Sequence, residues 1–105
     1  MRTSFVIALP DNHHRAFALL SKVRERVYEI DTLSVPQRYR GRGYGRKLLR
    51  EVCENAAYCG ALLRLVPLAD GGLTTVELEA WYIRHGFVQR SNGYFYREPL
   101  AQAEV

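Results

Sequence analysis

RYRGRGYGRKLL, Arg38 to Leu49, places glycines at 41, 43 and 45 among five basic residues, then passes into an apolar pattern. Three readings compete: a phosphate-binding turn at the start of a helix, a nucleic-acid-binding Arg-Gly patch, and a solvated flexible loop. The flanking sequence favours the first. Upstream, VYEIDTLSV (Val27–Val35) is β-branched and alternating, a strand ended by Pro36. Downstream, Leu48, Leu49, Val52, Cys53, Ala56 and Ala57 recur at helical spacing, with Arg46, Lys47, Arg50, Glu51 and Glu54 on the other face. A helix N-terminus offers free N–H groups and the positive end of a dipole. Glycines just before it let the backbone approach a phosphate, and arginines add bidentate donors. Strand, Gly/Arg loop and amphipathic helix together make a diphosphate cradle.

Two nucleotide readings of that cradle fail on spacing. A Walker loop needs Ser or Thr after its lysine, and Lys47 is followed by Leu48. A dinucleotide fingerprint needs GxGxxG directly after a strand, and this segment has GxGxG after a basic loop.

The rest of the chain reads as one α/β domain. With 105 residues, 48% hydrophobic and 25% charged, it fits a single folded unit over 1–105, with 100–105 as a frayed tail. SFVIAL (Ser4–Leu9) is a short strand closed by Pro10. Asp11 then caps a helix carrying Ala16, Phe17, Leu20 and Val23. Gly60 stops the post-glycine helix, and ALLRLVPL (Ala61–Leu68) is a strand covered on both faces, followed by an ADGG loop. Thr74 and Glu77 form a capping box opening a helix that Gly86 stops. FVQR and YFYR flank an Asn-Gly hairpin turn. The order is β-α-β-α-β-α-β-β, a single mixed sheet flanked by helices.

Several function classes drop out. No apolar run approaches the ~20 residues of a membrane span, so the expected address is cytoplasmic. Cys53 and Cys59 are six apart, neither a CxxC pair nor a zinc spacing, and His13, His14 and His85 make no metal set. The net charge of +4 indicates an anionic partner without naming it.

The chain resembles the GNAT N-acetyltransferase superfamily. Arg40, Gly43 and Gly45 satisfy the (Gln/Arg)-x-x-Gly-x-(Gly/Ala) motif, and LEAWYIRHGF (Leu78–Phe87) is similar to the family's Tyr-x-x-x-Gly-Phe segment. The resemblance covers roughly Val27 to Arg97. It implies acetyl-coenzyme A as cosubstrate, no metal, and an amine acceptor, either a small molecule or a protein lysine or N-terminus. It further implies that the backbone from Arg40 through Gly41, Arg42, Gly43, Tyr44 and Gly45 to Arg46 holds the diphosphate. Leu33, Ser34 and Val35 would pair with the pantetheine arm. Tyr82 falls at the family's general acid, and Glu29 aligns with the strand glutamate used as base by histone-type members.

From the residues alone, Glu29 and Asp31 project to one strand face and Tyr28 and Ile30 to the other, and Asp31 is the second candidate base. Two departures stand out. Thr75 takes the place of a family Asn that contacts the cofactor, and it reads as part of a helix start. Residues 1–26 are an abbreviated version of a longer family segment, which either opens the cleft to a large acceptor or leaves it to be completed by a second subunit in a homodimer. A non-catalytic coenzyme A sensor of the same fold and a small nucleic-acid-binding protein are the competing functions.

Overall fold

The computed structural model describes residues 1–68 and 73–99; the ADGG loop and the expected frayed tail lie outside them. The described residues form one six-stranded mixed sheet with two α-helices. In chain order these are β1 (Ser4–Ala8), β2 (Arg15–Arg24), β3 (Val27–Ser34), a 3-10 turn (Gln37–Tyr39), α1 (Tyr44–Tyr58), β4 (Leu62–Leu65), α2 (Thr75–Arg84), β5 (Val88–Gln89) and β6 (Phe95–Arg97). The strands lie in the order β1-β2-β3-β4-β6-β5. Only β3 and β4 run parallel, with α1 as their crossover.

The single mixed sheet flanked by helices matches the sequence expectation, with one correction to the element order. The segment expected to be a helix capped by Asp11 is β2. Ala16, Phe17, Leu20 and Val23 do fall at helical spacing, but burial follows period two instead: Ala16, Ala18 and Leu20 point inward. Asp11 caps a hairpin turn, its Oδ1 accepting from the N–H groups of His13 (2.9 Å) and His14 (3.0 Å). Once that turn reverses the chain, β2 finds β1 on one side and β3 on the other. Ladder pairing on both edges overrides a modest helical pattern.

The other elements stand close to where the sequence put them, with one exception. The strand expected over Ala61–Leu68 and covered on both faces is only Leu62–Leu65, with Leu63 and Leu65 buried and Val66 and Leu68 exposed. Thr74 and Glu77 close the capping box reciprocally, with bonds of 3.0 and 3.1 Å. Thr75 is the first helical residue of α2. The apolar face of α1 (Leu48, Leu49, Val52, Cys53, Ala56) lies against Phe5, Ala18, Leu63 and Phe95 of the sheet. Each fully buried Leu or Phe contributes about 1.5–3 kcal/mol, so this layer fixes α1, and with it the glycine loop. Cys53 is buried and Cys59 exposed, both free. No described helix is long and apolar enough to cross a membrane.

Candidate functional site

The site grows from a fork between the two parallel strands. β3 and β4 pair only from Val27↔Leu62 to Glu29↔Arg64. Past that point β3 stays with β2 as far as Phe17↔Ser34, while β4 ends at Leu65. Two local features cause the split. The β2–β3 register skips Asp31, passing from Leu20↔Ile30 to Leu19↔Thr32, a bulge that bends β3. Pro67 has no N–H to donate to a ladder, so β4 cannot continue as a paired strand. Residues 32–35 are thus left with one edge free of β4, as a strand awaiting an added chain.

Between the diverging strands lies a cleft of about 830 Å³. Ile30 to Val35 form one wall, Leu65 to Leu68 the other; Leu78, Trp81 and Tyr82 of α2 and the glycine loop close it. Pro36 and the 3-10 turn carry the chain from β3 into that loop. The Arg40 Nε–H donates to the Val35 carbonyl at 2.8 Å, tying the loop back to the end of β3. Gly43 is the N-cap of α1 with φ +89° and ψ 1°, a left-handed conformation that costs any side-chain-bearing residue energy. It supplies no capping side chain, and the first turn of α1 holds no acid. Among the described residues the N–H groups of Tyr44, Gly45 and Arg46 have no hydrogen-bond acceptor, and Gly43, Gly45 and Arg46 lie on the wall of the cleft.

The charge around this helix end is positive. Arg46 shares the wall, its guanidinium next to Gly43. His85 is held below its ordinary pKa by partial burial first, and then by the guanidinium groups of Arg84, Arg46, Arg50 and Arg97. Its imidazole is therefore neutral at neutral pH.

Tyr82 also lines the cleft, only 7% exposed, with Trp81 at 5.0 Å and Phe87 at 5.4 Å between ring centroids. Among the described residues its hydroxyl makes no hydrogen bond and no buried side-chain polar atom lacks a partner, so the hydroxyl is not sealed off from solvent. Burial, with a smaller contribution from Cys53, pushes its pKa up to about 12, so it is fully protonated at neutral pH.

Of the expected site residues, Leu33, Ser34, Val35, Arg40, Gly41, Gly43, Gly45, Arg46 and Tyr82 all line the cleft, as does Asp31. Arg42 and Tyr44 do not. The Arg42 guanidinium lies 5.6 Å from the centre of the Tyr39 ring, and Tyr44 packs edge-on against Tyr39 at 6.0 Å. Glu29 is also off the wall, its Oε1 accepting from Arg64 Nε at 2.8 Å. The bulge separates the two carboxylates that simple alternation would have put together. Sequence reasoning missed Trp81, whose indole lies beside Gly45 and shares the wall with Val35; its position next to Tyr82 in the helix motif was the available signal. Among the described residues no three His, Cys, Asp or Glu side chains gather as a metal site.

Solved structures similar to this one carry the same architecture. The anti-CRISPR protein AcrVA5 superposes with a TM-score of 0.69 at 19% identity, covering 90% of this chain and 98% of that one. The ribosomal-protein-S18-alanine N-acetyltransferase from Escherichia coli gives 0.61 at 20%, covering 91% and 66%. N-acetylglutamate synthase from Neisseria gonorrhoeae, solved with coenzyme A and L-arginine, gives 0.60 at 20%, covering 79% and 22%. The chain thus spans nearly all of the first but at most about two thirds of the other two. No curated protein sequence matches. The family profile described as acetyltransferase (GNAT) domain matches residues 2–89, the span holding the forked strands, the glycine loop and the tyrosine helix, and the chain belongs to that family.

Proposed function

We propose that this protein is an acetyl-coenzyme A-dependent N-acetyltransferase acting on a primary amine by direct attack in a ternary complex. One observation carries the reading. A single cleft joins a free strand edge, an unblocked helix N-terminus flanked by arginines, and a protonated phenol. These are the three features needed by an extended amide-bearing arm, by a diphosphate and by a departing thiolate. The near-equal length of the AcrVA5 neighbour supports the view that a chain this short can hold the whole fold.

Acetyl-coenzyme A supplies an activated acetyl thioester. The N–H groups at the start of α1 hold its diphosphate, with Arg46 adding charge. The free edge of residues 33–35 hydrogen-bonds the pantetheine amides as an added strand. Asp31, on the wall beside the fork, takes the proton that an acceptor ammonium must lose before it can attack. The amine nitrogen would then bond to the thioester carbon, the C–S bond would break, and the second proton of the nitrogen would pass to the departing sulfur or to solvent. Tyr82 donates a hydrogen bond to the departing sulfur. Complete proton transfer from a phenol at about 12 to a thiolate at about 8.5 would be uphill by roughly 5 kcal/mol, so stabilisation of the charge is its role.

Cys53 takes no part as a nucleophile: it is buried, and burial pushes its thiol up to about 11. A coenzyme A sensor of the same fold would bind without turnover. Thiol release from acetyl-coenzyme A, measured with polyamines, aminoglycosides, amino acids and protein lysines, tests the proposal. Amine-dependent release is expected with at least one class. Tight binding with no release from any of them would favour the sensor.

A further inference from the structure

We propose that Glu29 and Arg64 form the clasp of the fork, and that Glu29 serves the site as a positioning residue through Arg64. The inference rests on the acetyl-transfer reading above and concerns how that same site is held in shape.

Glu29↔Arg64 is the last register pair before β3 and β4 part. Register neighbours in a parallel pair project to the same side of the sheet, and the two side chains meet there at 2.8 Å. Neither is a loose surface group: Glu29 is 28% and Arg64 20% exposed. The guanidinium also lies 4.4 Å from the centre of the Tyr94 ring, and Arg64 stands opposite Tyr96 on β6. A planar cation stacked on an aromatic ring and bonded to a carboxylate has little freedom left. The pair therefore ties the parallel strands together across the last rung, with β6 behind it. One residue further, Ile30 and Leu65 are already opposing walls of the cleft.

The placement separates two carboxylates by task. Asp31, in the bulge, is on the cleft wall. Glu29, two residues earlier, is off it, with one oxygen taken by Arg64. Moving the point of divergence by one rung would shift the free edge that grips the pantetheine arm, and would shift Asp31 relative to Tyr82. Losing the clasp thus alters both cofactor affinity and turnover without removing a group that touches substrate.

Four variants test this: E29Q, R64Q, R64K and the exchanged pair E29R/R64E. Readouts are kcat, KM for acetyl-coenzyme A, the pH profile of kcat/KM, and amide hydrogen exchange of Ile30 and of residues 63–65 in the free protein. E29Q and R64Q should each weaken coenzyme A binding or turnover about tenfold, the coupling expected for contacting charges, and should speed exchange at the fork. R64K, which keeps the charge but loses the planar stack, should fall between. The exchanged pair should recover to within about threefold of wild type, because it restores the ion pair. The acidic limb of the pH profile should survive in E29Q. Loss of that limb in E29Q alone, or an exchanged pair as impaired as the worse single variant, would overturn the proposal and make Glu29 a proton acceptor. If the wild type neither binds nor turns over acetyl-coenzyme A, the acetyl-transfer reading falls. The clasp is then decided by whether the exchanged pair reverses the faster hydrogen exchange of the singles; if it does not, the clasp falls too.

Discussion

Replacing Gly43 by alanine should separate the cost of strain from the cost of a lost ligand grip. Gly43 has φ +89°, and a Cβ built there would find no atom nearer than the Arg46 Nη2 at 3.7 Å, an ordinary contact. Crowding is therefore not the problem; conformation is. Holding an L-residue in the left-handed region costs roughly 1–2 kcal/mol, and a domain of this size loses about 4–8 °C of melting temperature per kcal/mol. Gly93 offers a matched control. It has the same φ of +89°, its Cβ would meet nothing within 4 Å, and it lies in the β5–β6 turn away from the cleft. G43A and G93A should lose similar stability without ligand. With coenzyme A they should part. Relief of strain at the N-cap turns an N–H away from the diphosphate, and a hydrogen bond to a charged group is worth about 1.5–3 kcal/mol. G43A should then bind coenzyme A about ten- to a hundredfold more weakly by calorimetry, and G93A as wild type. A G43A protein with full affinity, or a G93A protein equally impaired, would refute the assignment of the diphosphate to this helix end.

Other perturbations probe the remaining parts of the cleft. Y82F should keep coenzyme A affinity and lower kcat, since only the hydroxyl that reaches the departing sulfur is removed; an unchanged kcat would take Tyr82 out of the chemistry. The same residue has a signature in stability. Its folded-state pKa of about 12 lies above the ordinary tyrosine value of about 10, so the stabilisation is complete below pH 10 and is lost as pH rises from about 10 to 12. The loss amounts to about 2–3 kcal/mol, and Y82F should flatten that part of an alkaline denaturation curve. D31N should lower kcat/KM by about 10²–10⁴, leaving the Kd for coenzyme A unchanged. Arg40→Ala removes the 2.8 Å bond to the Val35 carbonyl. It should raise KM for acetyl-coenzyme A several-fold at constant kcat, and Arg40→Lys should recover only part of the loss.

What could be read from the sequence was whatever rests on local chemistry. The Thr74–Glu77 capping box, the Asn-Gly turn and the glycines before α1 each encode their conformation within a few residues, and each stands as read. The same holds for the apolar face of α1, where the 3.6 period runs unbroken from Leu48 to Ala56. The stretch from Ala16 to Val23 could not be decided locally, because its apolar residues fit a helix as well as a strand. The contest was settled by Asp11 turning the chain and by partners on both edges of β2.

The candidate site divides along the same line. Tyr82 and the loop glycines line the cleft because a motif fixes their spacing. The carboxylates were misplaced because alternation assumes an unbroken register. A bulge arises only when two strands of unequal demand are laid side by side. Leu20 pairs with Ile30 and Leu19 with Thr32, so Asp31 has no partner and turns to the cleft, while Glu29 remains in step with Arg64. The irregularity that separates Asp31 from Glu29 also opens the fork. The bulge and Pro67 act together: a β3 in regular register would no longer bend away from β4, and the edge of residues 32–35 would lose the room that an added strand needs. A deletion of Asp31 that regularises the β2–β3 ladder should therefore raise the melting temperature while abolishing coenzyme A binding. A deletion variant that still bound the cofactor would break the link between the bulge and the cleft.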